Sequence, residues 1–241
     1  MQSVQMIPVG GFPVRKMSSA ELAAHLLDPE RRGSQAALFF ANTNFVVQCR
    51  DMRSRMQAPD IVVVNDGVGM DIAARTLHAD RFEENLNGTD FMPFLFRQSP
   101  VPLRVFLVGG RPHVLQKAAQ YVARQLGQVV VGTCDGYEGL RGSPNLVEAI
   151  NDAGADVVLV AMGNPIQEKW ILDHRRYLQA SILAGVGALF DFWAGDKPRA
   201  PIVVQKMRLE WCYRLCLEPR RLFRRYTVDI VRFLKYCRDS R

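Results

Sequence analysis

Six short apolar runs constrain the fold of this chain more than any other feature: Ala36 to Phe40, Ile61 to Val64, Val105 to Val108, Val129 to Val131, Val157 to Val160 and Ile182 to Ala184. They are continuous and often β-branched, as strands buried on both faces of a parallel sheet should be. Helical segments fit between them, near 43–53, 68–77, 89–97, 112–126, 145–152 and 166–177. Ahead of the first run, Ser18-Ser19 before Glu21 predicts a capped helix to about Leu27, and the apolar residues around Gly10-Gly11 predict a short hairpin over Gln5 to Val14. This alternation specifies an α/β fold, a Rossmann-like doubly wound and mainly parallel sheet with helices on both faces.

The pattern breaks at Asp196 to Pro201, where Gly195, Pro198 and Pro201 interrupt it. Residues 1–196 therefore read as the α/β core, and residues 197–241 as a basic helical appendage. The appendage holds thirteen Lys or Arg against four acids, a net of about +9, while the core is close to neutral with 18 bases and 20 acids. Its apolar residues recur at helical offsets: Trp211, Leu215 and Leu217, then after Pro219 Leu222, Phe223, Tyr226, Ile230, Phe233, Leu234 and Cys237, with Arg224, Arg225, Arg232 and Lys235 around them. A basic amphipathic helix of this kind suits an anionic membrane surface. A terminal helix packed on the core with solvated arginines has the same pattern, and nucleic-acid binding also tolerates it.

In an open parallel sheet, ligands sit at the carboxyl ends of the strands. Here those ends are polar and glycine-rich: Asn42-Thr43-Asn44, Asn65-Asp66-Gly67-Val68-Gly69, Gly109-Gly110-Arg111, Gly132 to Gly136 with Tyr137 beside it, Gly163-Asn164-Pro165-Ile166-Gln167, and Gly185-Val186-Gly187. Six such ends suggest a site for a large polar ligand bearing phosphates. Each also has a structural reading. Asp66-Gly67 could be a plain turn with Asp66 as helix cap, Gly109-Gly110 a tight strand-to-helix turn, and Gln167 a cap in a first helical turn. Asp191, set among aromatics in Phe190-Asp191-Phe192-Trp193, needs a hydrogen-bond partner if buried. His25, His78, His113 and His174 are isolated and read as structural.

Absent patterns narrow the chemistry. No G-x-G-x-x-G follows a strand and no acid closes the Val129 to Val131 run, which argues against a nicotinamide or flavin cofactor. There is no P-loop, no G-x-S-x-G and no Asp-x-Asp to hold a divalent metal on a nucleotide diphosphate, so no cofactor or metal is expected. The five cysteines are scattered without C-x-x-C and read as reduced and structural; Cys212 and Cys216 lie four apart but lack further ligands. No apolar run approaches the roughly 18–20 residues of a membrane-spanning helix, and Met1 to Gly11 lacks a signal-peptide pattern, so a cytoplasmic protein is expected.

The order of motifs resembles the WecG/TagA/CpsF family of bacterial glycosyltransferases (family 26) over nearly the whole chain. The resemblance rests on the Asn44 strand end, Asp66-Gly67-x-Gly69, Asn87-Gly88-Thr89-Asp90, Val108-Gly109-Gly110, Gly163-x-Pro165-x-Gln167-Glu168, Asp191-Phe192-x-x-Gly195, Arg199-Ala200-Pro201, Glu210-Trp211-x-x-Arg214-Leu215 and Glu218-Pro219-Arg220-Arg221-Leu222. It implies an inverting hexosyl- or N-acetylhexosaminyl-transferase. Such an enzyme moves a sugar from a UDP-sugar to a sugar on a membrane polyprenyl diphosphate, without metal, in surface polysaccharide or teichoic acid synthesis. It would be peripheral on the inner face of the plasma membrane, with a homo-oligomer left open and no nucleic-acid partner. By the same resemblance Asp66 matches the general base and Asn44 an asparagine beside it, while Asn42 stands where many members have Thr. Gln167 and Asp191 match the donor pocket, and Arg214, Arg221 and Arg224 match arginines of an appendage that reaches over the site. Gly109, Gly110 and Tyr137 join the substrate-binding candidates. One position departs: many members carry Arg where this chain has Asn85.

The chemistry agrees with the residues. A sugar hydroxyl must lose its proton as it attacks, and a positioned carboxylate typically contributes about 10² to 10⁴ in rate. Arginines and helix amino-terminal amides can stabilise departing UDP in place of a metal. A nucleic-acid-binding module would not need six glycine- and amide-rich strand ends. A membrane adaptor without catalysis would not need Asp66.

Overall fold

Each of the six apolar runs forms a strand of one sheet in the computed structural model, which describes residues 5–31, 34–142, 145–201, 204, 213, 215 and 228–240. The strands are β3 (Ala36–Ala41), β4 (Ile61–Asn65), β5 (Arg104–Gly109), β6 (Val129–Cys134), β7 (Val157–Ala161) and β8 (Ile182–Gly185), all parallel. Every residue of β3, β4, β7 and β8 is buried, which explains why these segments carry no polar alternation. β6 lies at an edge and is half-exposed, so it tolerates Gly132 and Thr133.

The predicted hairpin forms as β1 (Met6–Val9) and β2 (Phe12–Arg15), and it is part of the same sheet. β2 pairs parallel with β4, giving eight strands in the order β1-β2-β4-β3-β8-β7-β5-β6. Only the β1–β2 pair is antiparallel among the described strands. Ile7, Val9, Phe12 and Val14 alternate into one face of the core at 1% exposure or less, and this burial holds the hairpin in place.

Helices cover both faces. On one lie α1 (Ser19–Leu27), α4 (Gly88–Gln98), α5 (Pro112–Arg124) and α9 (Leu189–Trp193); on the other lie α2 (Thr43–Gln48), α3 (Val68–His78), α7 (Leu146–Asp152), α8 (Ile166–His174) and α10 (Val228–Asp239). Short α6 (Glu138–Gly142) follows β6. The α1 start is the capping box read from sequence: Ser18 Oγ accepts from Glu21 N at 3.2 Å, and Glu21 Oε2 accepts from Ser18 N at 2.8 Å.

Three helical expectations change. The segment near 43–53 is α2 followed by tight turns at Arg50–Met52 and Arg55–Gln57, because buried Met56 brings the chain back onto the core before β4. The helix near 166–177 stops at His174, where Tyr177 N turns back to His174 O at 2.9 Å. The five-residue helices α6 and α9 were not expected; each is too short to show a readable period.

In α10, Phe233 and Cys237 are buried against the face that carries α2 and α3. Burying a side chain like Phe233 contributes roughly 1.5–3 kcal/mol. The apolar stripe at Ile230, Phe233, Leu234 and Cys237 is thus core packing, while Val231, Arg232, Lys235 and Arg238 face outward. The earlier part of that stripe, with Trp211, Leu222, Phe223 and Tyr226, lies outside the described residues. Among the described residues no helix is long and apolar enough to cross a membrane.

Candidate active site

β3 and β4 end side by side, and their ladder runs one residue further because Asp66 N donates to Ala41 O at 2.7 Å. Asp66 is held half-buried at the rim of the sheet. It does not cap α3: the N-cap is Gly67, and the Asp66 carboxylate meets Asn42 instead. Asn42 Nδ2 donates to Asp66 Oδ2 at 3.3 Å, while Asn42 Oδ1 accepts from the N–H groups of Asn44 and Phe45 at 3.0 and 3.1 Å. Backbone N–H groups only donate, so Asn42 must turn its oxygen to the start of α2 and its NH₂ to Asp66. One residue thus starts a helix and orients a carboxylate.

A second polar group lies where β7 and β8 end. Gln167 Oε1 accepts from Gly163 N at 3.2 Å and from Gly187 N at 2.9 Å, tying the two strand-end loops together. Gln167 Nε2 donates to Glu168 Oε1 at 2.7 Å, and Asn164 Nδ2 donates to the same oxygen at 2.6 Å. Asn44 Nδ2 in turn donates to Asn164 Oδ1 at 3.3 Å. Gln167 and Glu168 are 3% and 1% exposed. A Cβ on Gly185 would come within 3.1 Å of Gln167 Nε2, so β8 needs a glycine where the amide lies across it. Burial raises the Glu168 carboxyl above its ordinary value, against the hydrogen bonds from Gln167 and Asn164 that favour the charged form. Burial and the neighbouring Glu168 push the Cys49 thiol up as well.

The remaining candidates lie outside this hydrogen-bonded network. A Cβ on Gly109 would lie 2.4 Å from Ala161 O, and its φ of +110° is open only to glycine, so this residue permits the close approach of β5 to β7. Gly110 N donates to Ala161 O at 3.0 Å and Gly110 O accepts from Gly136 N at 3.0 Å. Tyr137 is exposed, and its N–H bonds to Asp135 Oδ1 at 2.9 Å. Beside this corner a cleft of ≈ 760 Å³ opens between Phe106, Leu115, Gln120, Cys134, Asp135 and Leu146. Asp191, in the first turn of α9, faces Lys197 Nζ at 3.4 Å and shares no hydrogen bond with the Asn42–Gln167 group among the described residues. Among the described residues no three His, Cys, Asp or Glu side chains cluster as metal ligands.

A sequence model of the glycosyl transferase WecG/TagA/CpsF family matches residues 7–241, nearly the whole chain. The chain belongs to this family. It is therefore a glycosyltransferase of a family acting in surface polysaccharide synthesis, and the polar strand ends are its candidate active site.

Two segments that are far apart in sequence meet in this glycosyltransferase. Arg199 Nη2 donates to Asp90 Oδ1 at 2.7 Å, joining Arg-Ala-Pro to Asn-Gly-Thr-Asp, while Asn87 caps α4 through Asp90 N at 3.0 Å. Asn85 accepts from Gly67 N through Oδ1 at 2.6 Å and so holds the Asp66 loop. Asn65, fully buried next to Asp66, supports the same loop through Glu84 O at 2.8 Å. Arg214, Arg221 and Arg224 lie outside the described residues.

Sequence reasoning did not place Asn164 and Glu168 in the hydrogen-bonded group at these strand ends, where the structure brings them. A signal was present for Glu168. It falls three and four residues before Ile171 and Leu172, on the inward face of α8, where a lone acid would be costly without partners. Asn164 had no such signal beyond its place after a strand.

Proposed function

We propose that this glycosyltransferase moves a hexosyl or N-acetylhexosaminyl group from a UDP-sugar to a sugar on a polyprenyl diphosphate, with inversion. The observation that carries the reading is the Asp66 carboxylate fixed at the β4 end by Asn42, beside a second set of amides from β7 and β8. The acceptor hydroxyl gives its proton to Asp66 as its oxygen bonds to the anomeric carbon. The bond from that carbon to the UDP oxygen breaks, and the electron pair leaves with UDP. Gln167 and Asp191 are assigned to the donor, and Gly109, Gly110 and Tyr137 to the nucleotide.

Arg214, Arg221 and Arg224 are assigned to the leaving diphosphate, in the role a metal would otherwise fill. In sequence they fall between Arg199, anchored to α4, and Ile230, which packs near Gly69 at the start of α3. The outward basic residues Lys235 and Arg238 of α10 would favour an anionic membrane face, at about 1 kcal/mol per charge near the surface.

The test is transfer itself. Radiolabelled UDP-sugars are offered with a polyprenyl-diphosphate-linked sugar in vesicles containing excess EDTA. Extension of the glycolipid with release of UDP supports the reading. Failure of every UDP-sugar, or a strict need for a divalent metal, overturns the donor or the metal-independent chemistry respectively.

A further inference from the structure

We infer that Glu168 is a positioning residue that sets the polarity of an amide relay, so that Asn44 presents a carbonyl oxygen, as an acceptor, to a sugar hydroxyl at the transfer site. The inference rests on the reading of the Asp66 strand ends as that site. The orientation follows from donors and acceptors that have no alternative. The N–H groups of Gly163 and Gly187 can only donate, so Gln167 must face them with Oε1 and turn Nε2 to Glu168. Glu168 Oε1 is thereby an acceptor whether or not the carboxyl holds a proton, and it also takes Asn164 Nδ2 at 2.6 Å. Asn164 must then offer Oδ1 to Asn44, which answers with Nδ2 at 3.3 Å. What remains of the Asn44 side chain is Oδ1, which has no partner among the described residues.

The two amides bound to Glu168 differ in how much they need it. Gln167 is held independently by two backbone N–H groups, so it keeps its orientation without Glu168. Among the described residues Asn164 has side-chain bonds only to Glu168 and Asn44, so it can turn over if Glu168 loses its acceptor. An Asn164 turned over would offer NH₂ to Asn44, and Asn44 would turn in response and present a donor instead of an acceptor. The second oxygen, Glu168 Oε2, is buried without a hydrogen-bond partner among the described residues. Such a group is costly to keep in a core position that apolar residues could fill. Its presence there fits a role in orienting Asn164.

The experiment is a double-mutant cycle between Glu168→Met and Asn44→Ala, with kcat for transfer and UDP affinity measured on full-length enzyme. Each single variant is expected to lower kcat about tenfold, the double variant no further than Asn44→Ala alone, and UDP affinity to stay within about threefold. Glu168→Gln keeps an acceptor oxygen and is expected to restore kcat to within about threefold of wild type. If Glu168→Met does not fold, Asn164→Leu takes its place in the cycle with the same expectation. Additive losses, or a fall in UDP affinity equal to the fall in kcat, would mean that Glu168 serves only packing. Wild-type turnover in both single variants, alongside an inactive Asp66→Asn, overturns the relay alone. Full turnover in Asp66→Asn as well overturns the site on which the relay rests.

Discussion

Where β3, β4, β7 and β8 end, side chain meets side chain: Asp66 on Asn42, Asn44 on Asn164, Asn164 and Gln167 on Glu168. Where β5 and β6 end, backbone meets backbone, with Gly110 bonded to Ala161 and Gly136, and a cleft of ≈ 760 Å³ walled largely by apolar and small residues opens beside them. The first half fixes functional groups through bonds whose donor and acceptor ends cannot be exchanged. The second fixes the path of the chain, and Gly109 is there because Ala161 O leaves no space for a Cβ. Substitution should therefore change chemistry in one half and folding in the other.

The largest effect that could break this comparison is at Asp66. Asp66→Asn keeps size and one oxygen, so it should leave thermal unfolding and UDP binding close to wild type while lowering turnover at least about 10²-fold. Near-normal turnover would remove Asp66 as base and leave the first half a structural network.

Next is Gly109→Ala, which places a Cβ at 2.4 Å from Ala161 O in a backbone conformation with φ +110°. Strain of this kind is expected to cost about 2 kcal/mol or more, seen as a midpoint lower by roughly 4–8 °C in a chain of this size. An unchanged midpoint would show that β5 and β7 can separate without loss, and the division between the halves would fail.

The smallest effect sharpens the first half. The folded Glu168 carboxyl titrates above its ordinary 4.5 because it is buried. Folding therefore binds a proton here. The stability this gives is fully present below about 4.5 and is lost as pH rises through the folded value. Wild type should lose stability relative to Glu168→Gln over that rise, measured by urea unfolding at a series of pH values. Parallel curves would mean that the hydrogen bonds from Gln167 and Asn164 outweigh burial.

Much of the fold was legible because the φ,ψ repeat that makes a strand or helix is local, and so is the side-chain pattern it demands. The runs at Leu38, Val63, Leu107 and Leu159 had to be buried strands, and Ser18 with Glu21 had to open a helix. Asp66, Asn42 and Gln167 were readable for a related reason: polar residues directly after a buried parallel strand stand at its carboxyl end. The eight-strand order was not readable, because the hairpin shows where it bends and not which strand accepts β2. Nor was the fate of Phe233 and Cys237, since an amphipathic stripe fits a core, a membrane or a partner equally until α2 and α3 come to lie under it.

A parallel α/β sheet, polar groups at its carboxyl edge and membership of a glycosyltransferase family were all legible in the residues alone. Only packing across the whole chain brings Asn44 to Asn164 over 120 residues, closes Arg199 on Asp90 and buries Glu168 beside the strand-end amides. These pairings depend on which faces pack together, a matter of burial and bond geometry summed over the whole chain. No local pattern of residues records them.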